Sequence, residues 1–176
     1  MLMKEFIKQM YQAIQEGDVN LFDDIEDKIK KGDIDLTVED VVPLCRMIII
    51  DSEYIEYSQI IEIARMTLWA VEAHNIQEGL REYVKGLEEI YDEGQKSTWK
   101  NWYKSSCEDF LNIYIGMTLL RYKEEDIDLF GKEISENGSA NFKLVIAKIL
   151  KQIMRREGEN KECINKGEIL KKYVEL

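Results

Sequence analysis

A single proline, Pro43, and only ten glycines leave this chain of 176 residues few places to turn. A β-rich chain of that length needs many more turn residues to link its strands. The apolar residues instead recur at steps of three and four almost throughout, the spacing of helices. Phe6, Met10, Ala13 and Ile14 share one face of a first helix that Gly17 ends. Asp18 caps a second, with Leu21, Phe22, Ile25 and Ile29 on one side and Gly32 past its end. A third helix tolerates Pro43 if Asp40 is its cap, because the proline then lies in the first turn, where no intrahelical N–H bond is lost. The expected start is therefore near Asp40 rather than Thr37.

The run "YSQIIEIARMTLWAVEAHN" is apolar nearly all round, as a helix in the middle of a domain is. After it, Leu80, Tyr83, Val84, Leu87, Ile90 and Tyr91 keep helical phase. Gly79 and Gly86 lie roughly on one face of that helix and would let a neighbour approach closely. Trp99, Trp102, Tyr103, Ser106, Phe110, Ile113, Tyr114 and Met117 then form one stripe of a long helix reaching about Arg121. Three shorter helices follow. One buries Phe142, Val145, Ile146, Ile149, Leu150 and Ile153, and the last is basic and open either to fraying or to docking. The stretch "DEGQKS" at 92–97 is the best hinge. The expected fold is all-α: a single domain over residues 1–176 with about eight or nine helices, arranged as a bundle or as HEAT-like stacked helical hairpins. A short echo, "DVNLFDDIED" at 18–27 against "DIDLFGKEISE" at 126–136, would suit stacked hairpins.

Charge narrows the function. The formal net charge is −11, and it is one-sided: residues 1–92 hold 21 acids and 9 bases, residues 93–176 hold 14 and 15. The segment "STWKNWYKSS" interleaves tryptophans with Lys100 and Lys104, a pattern that can stack on single-stranded nucleic acid. Its aromatics, however, continue directly into a core seam, and phosphate contacts dominate nucleic-acid affinity. No direct nucleic-acid partner is expected. No stretch approaches eighteen consecutive apolar residues, so no membrane span is expected, and Lys4, Glu5 and Lys8 interrupt any leader-like run. Three scattered cysteines, Cys45, Cys107 and Cys163, without a CxxC pair, fit a reducing compartment. The expected location is the cytoplasm.

Catalytic and metal motifs are sparse. His74 is the only histidine, which removes every site needing two, and its place at a helix end suits a structural role. Nucleotide-binding glycine loops and GxSxG are absent. Two carboxylate patterns remain. "DDIED" sets Asp23, Asp24 and Asp27 about a turn apart, like the DDxxD of magnesium-dependent isoprenoid synthases. Glu53 and Glu56 with Glu88, Glu89 and Asp92 are similar to the ExxE and ExxD pairs of all-α nucleotide pyrophosphohydrolases. Solvated acidic faces account for both more simply in a chain with 35 acids, and no cofactor or metal is expected.

A small, acidic, helical chain without a catalytic set resembles the immunity proteins of bacterial toxin systems in size, charge and helical character. That resemblance implies a non-enzymatic inhibitor of a basic cognate protein, such as a nuclease toxin. Complementary charge would select that partner, and the acids expected to meet it are Asp23, Asp24, Glu26, Asp27, Asp33, Asp35, Glu39 and Asp40. Two alternatives stand beside it. One is a helical-repeat adaptor that holds a partner helix in an apolar groove edged by Trp99 and Trp102. The other is the magnesium-dependent pyrophosphohydrolase, which requires the carboxylate pairs to converge in one cavity.

Overall fold

Three of the helices begin where the sequence supplies a capping side chain, at Asp18, Ser139 and Asn160. The structure is a computed structural model that describes residues 4–50, 56–96 and 100–175; of residue 50 and residues 100–106 it describes the helical backbone only. Among the described residues there are nine α-helices and no strand. They are α1 (Glu5–Glu16), α2 (Val19–Lys30), α3 (Val41–Ile50), α4 (Tyr57–Val71), α5 (Ile76–Lys96), α6 (Lys100–Arg121), α7 (Glu124–Asn137), α8 (Ala140–Arg156) and α9 (Lys161–Val174). The Asp18 carboxylate accepts from the Leu21 amide at 3.0 Å, and Ser139 and Asn160 cap α8 and α9 the same way. Gly17 stops α1 in the left-handed region at φ 69°, its amide returning to carbonyls of the last turn. No helix of the described residues is long and apolar enough to cross a membrane.

The expected start of the third helix needs one correction. α3 does begin at Val41, with Pro43 in its first turn, but a 3₁₀ turn over Val38–Asp40 precedes it. The Thr37 amide donates to Asp40 Oδ2 at 2.8 Å, so the Asp40 carboxylate reaches back to the start of that turn instead of capping forward. The expected hinge is corrected too. α5 runs unbroken through 92–96, because Gly94 falls on its buried face and the seam of Leu87 and Ile90 continues past it; residue 97 lies outside the described residues.

The helices stack in two layers. α3, α5, α7 and α9 follow one another in the first, and α4, α6 and α8 in the second. α3 with α4, α5 with α6 and α8 with α9 join the layers, the order of stacked helical hairpins. α1 and α2 pair with each other, and α1 touches α3. The echo between 18–27 and 126–136 does not mark equivalent positions. Asp18 is a cap outside α2, whereas Asp126 lies within the first turn of α7; α2 packs on α1, while α7 is held between α5 and α9. Nor does the last helix fray: α9 lies against α7, and the Tyr173 ring covers Gly131 while its hydroxyl donates to Asp128.

One contiguous apolar core takes side chains from all nine helices. The faces expected on α1, α5 and α8 supply it, including Met10, Leu80, Tyr83, Phe142 and Ile149. Polar groups inside are largely satisfied: the Tyr83 hydroxyl lies 2.8 Å from Thr118 Oγ1, and the Tyr83 ring stacks on Phe130 at 5.4 Å.

Candidate functional site

The acids chosen from the sequence divide into two groups. α2 turns Phe22 and Ile25 to the core and therefore turns Asp23, Asp24 and Asp27 to solvent. Beyond α2 the chain reverses at Gly32, φ 82°, and the Lys28 carbonyl collects the amides of Asp33 and Ile34. Leu36 is buried and anchors the segment that follows, so Asp33, Asp35 and Glu39 remain exposed around it. None of these six carboxylates makes an ion pair among the described residues. They form an acidic surface along α2 and the linker to α3, interrupted by the exposed Lys28 and Lys31.

Glu26 and Asp40 do not belong to that surface. Asp40 is 2% exposed, and its carboxylate accepts from Lys4 Nζ at 2.8 Å as well as from the Thr37 amide. Lys4 also reaches Thr37 Oγ1 at 3.1 Å and the Asp35 carbonyl at 3.3 Å, which ties the linker to the start of α1. Glu26 is 7% exposed and points between α2 and α4, where Lys30 at 3.0 Å and Arg65 at 3.7 Å meet its Oε1. Helical phase explains the difference, since Glu26 follows the buried Ile25 on the inner side of α2. Its second oxygen is buried with no donor. Glu62 of α4 faces it, and burial together with the charges of Glu26 and then Asp23 pushes the Glu62 carboxyl up to about 7, against the pull of Arg65. When protonated, the Glu62 carboxyl is the neighbouring group able to donate to the Glu26 carboxylate.

Next to the acidic surface is a feature that reading the sequence missed. A hollow of about 420 Å³ opens between the end of α2, the linker and the end of α4. Ile29, Ile34, Leu36 and Ala73 line it, Trp69 gives it an aromatic wall, and Lys30 and Asp35 stand at its polar edge. Trp69 lies in the apolar run of α4 and looked like a core residue. It is only half-buried. No signal in the sequence marked it, since Leu68, Ala70 and Val71 on either side of it are buried.

The other candidates fare differently. Trp99 lies outside the described residues, and of Trp102 only the helical backbone is described. Glu53 also lies outside them. Glu89 is held by Arg46 at 2.9 Å, Glu88 accepts from the Ser139 amide at 2.7 Å, and Glu56 is exposed at the start of α4. Among the described residues, no three acidic, histidine or cysteine side chains are grouped so as to hold a metal ion. His74 is exposed in the turn after α4. Cys45 and Cys107 are buried, and that burial raises both thiols, Cys107 to about 12, so neither is a poised thiolate. A second groove of about 580 Å³ runs along α8, where Leu144 is 67% exposed among Lys143, Lys148 and Lys151. Compared with known protein families, curated proteins and solved structures, the chain matches none.

Proposed function

We propose that this chain is a non-enzymatic binding protein that engages a basic partner protein through the acidic surface of α2 and the α2–α3 linker, and neutralises it as immunity proteins neutralise toxins. The observation that carries the reading is the set of six exposed, unpaired carboxylates, Asp23, Asp24, Asp27, Asp33, Asp35 and Glu39, on one continuous stretch of chain. Leaving so many like charges unpaired destabilises a compact state slightly and speeds encounter with an oppositely charged surface. A hollow with a tryptophan wall beside them suits the pattern of interfaces, in which a few buried aromatic anchors sit inside a charged rim.

The test is capture of partners from the source cell's lysate at low and high salt, followed by assay of what is captured. The expected result is a basic protein that salt releases, that the Asp23→Asn/Asp24→Asn/Asp27→Asn variant fails to hold, and whose activity falls when the intact chain is added. Capture unaffected by salt and by those substitutions would overturn the reading.

A helical-repeat adaptor is the second reading, favoured by the two-layer stacking and by the Leu144 groove on α8. Its lysine-edged apolar strip suits an amphipathic helix carrying acids. Loss of partner capture on Leu144→Glu, with the acidic surface intact, would favour it.

A further inference from the structure

From the hollow beside the acidic surface we infer a specific occupant: an arginine side chain of the basic partner, its stem over Trp69 and its guanidinium toward Asp35. This rests on the proposed function and goes beyond it, because it names the residue type the surface selects.

Three observations converge. The first is the wall. Ile29, Ile34, Leu36 and Ala73 make an apolar slot, and the half-buried Trp69 offers an indole to it. An indole is the best aromatic partner for a cation, and guanidinium stacks on it more often than ammonium does. The second is the field. Both α2, through Ile29 and Lys30, and α4, which ends at Val71 just before Ala73, bring their C-terminal ends to the hollow. The α4 end has no basic residue in its last turn and presents its partial negative charge there, which favours a cation; the α2 end carries Lys28, Lys30 and Lys31 and adds little. The third is the rim. Asp35 makes no side-chain ion pair, Asp33 is exposed next to it on the same turn, and the one cation at the edge, Lys30, is already bound to Glu26 at 3.0 Å. A guanidinium at Asp35 can use two parallel N–H bonds, which a lysine cannot. The slot suits a long side chain because arginine buries its methylenes while its head stays at the polar edge.

The test uses the intact chain and two probes of equal charge, hexaarginine and hexalysine, titrated by calorimetry at low salt. Hexaarginine is expected to bind roughly two- to fivefold more tightly than hexalysine, the advantage of a cation on an indole at an exposed site. Trp69→Leu should remove that preference while leaving hexalysine binding in place. Asp35→Asn, on an exposed side chain with no fold to upset, should reduce the preference as well, and thermal melting of each variant checks that it is folded. Equal affinity for the two peptides, lowered by Asp23→Asn/Asp24→Asn/Asp27→Asn but indifferent to Trp69→Leu and Asp35→Asn, would overturn the arginine slot and leave the acidic binding surface standing. Failure of both peptides to bind at low salt would overturn the binding surface itself.

Discussion

The first turn of α5 lies on bare backbone: a side-chain carbon added to Gly79 would stand 1.8 Å from the carbonyl oxygen of Val71, the last residue of α4. No side chain fits there, so the turn between α4 and α5 requires glycine at this position for space and not for backbone conformation. Gly79→Ala gains helix propensity of about 1 kcal/mol yet forces the two helices apart. A net loss of about 1–3 kcal/mol is expected, read as a fall of roughly 2–4 °C in melting temperature for each kcal/mol. Gly158→Ala is the control, because its nearest neighbour would be at an ordinary 3.5 Å. Equal melting temperatures for the two variants would contradict this account.

The acids separate by role, and stability measurements can read the separation. Asp40→Asn weakens the pairing to Lys4 and to the Thr37 amide inside the protein, and about 1–3 kcal/mol of stability should go with it. Asp23→Asn/Asp24→Asn/Asp27→Asn touches only solvated carboxylates and should leave the urea midpoint where it is, or raise it by relieving repulsion. A midpoint that drops as far in the triple variant as in Asp40→Asn would mean that the surface acids are structural.

Glu62 should make stability depend on pH. Its carboxyl rises from the ordinary 4.5 to about 7 in the folded chain, facing Glu26 and Asp23 of α2 and its own neighbour Arg65. The folded state therefore holds a proton that the unfolded state has released. The Glu62 contribution is fully present below about pH 4.5 and is lost as pH rises through about 7. Glu62→Gln keeps a donor for the Glu26 carboxylate at every pH. Urea titrations across this range should show a decline in the wild-type chain that the variant lacks. Parallel curves would remove the shared proton from the account.

Two neighbouring buried tyrosines should answer differently to loss of a hydroxyl. Tyr83→Phe deletes a group 2.8 Å from Thr118 Oγ1 and 3.2 Å from the Tyr114 carbonyl, and should cost about 1 kcal/mol. The Tyr114 hydroxyl is buried and makes no hydrogen bond of good geometry, meeting only the Cys45 thiol and the hydroxyl of Thr67, which itself donates to the Ile63 carbonyl. Tyr114→Phe should therefore be neutral or stabilising, since it removes a desolvated polar atom at constant shape. Chemical denaturation of the two variants gives the comparison directly, and a larger loss at Tyr114 would show that its hydroxyl has found a partner.

Much of the fold was legible because helix formation is local. Asp18, Ser139 and Asn160 cap helices through bonds to amides three residues on, so short stretches of sequence suffice to find those starts. The inward face of α8 was legible residue by residue, from Phe142 to Ile153, since a helix with one apolar stripe has one way to sit. The α5 hinge was misplaced because a glycine read alone suggests a break, and only packing reveals that Gly94 faces inward. The Val38–Asp40 turn escaped for a similar reason: Asp40 can cap forward or bond backward, and Lys4 favours the second.

The site was less legible than the fold. Composition located the excess of acid in the first half of the chain but could not sort it. Asp35 and Asp40 are five positions apart in one acidic stretch, yet one is exposed and the other meets a lysine 36 residues away. Trp69 read as core because its own helix is apolar nearly all round, while its exposure depends on where the α2–α3 linker stops covering it. The sequence by itself determined an all-α chain, the capped starts of α2, α8 and α9 and the inward stripes, since these depend on periodicity and on bonds between near neighbours. Tertiary structure alone decided which carboxylates remain free, that Glu26 and Glu62 face each other, and that a tryptophan borders the acidic surface. Each of those depends on distant segments meeting, and the free energy of such meetings is not written in any one segment.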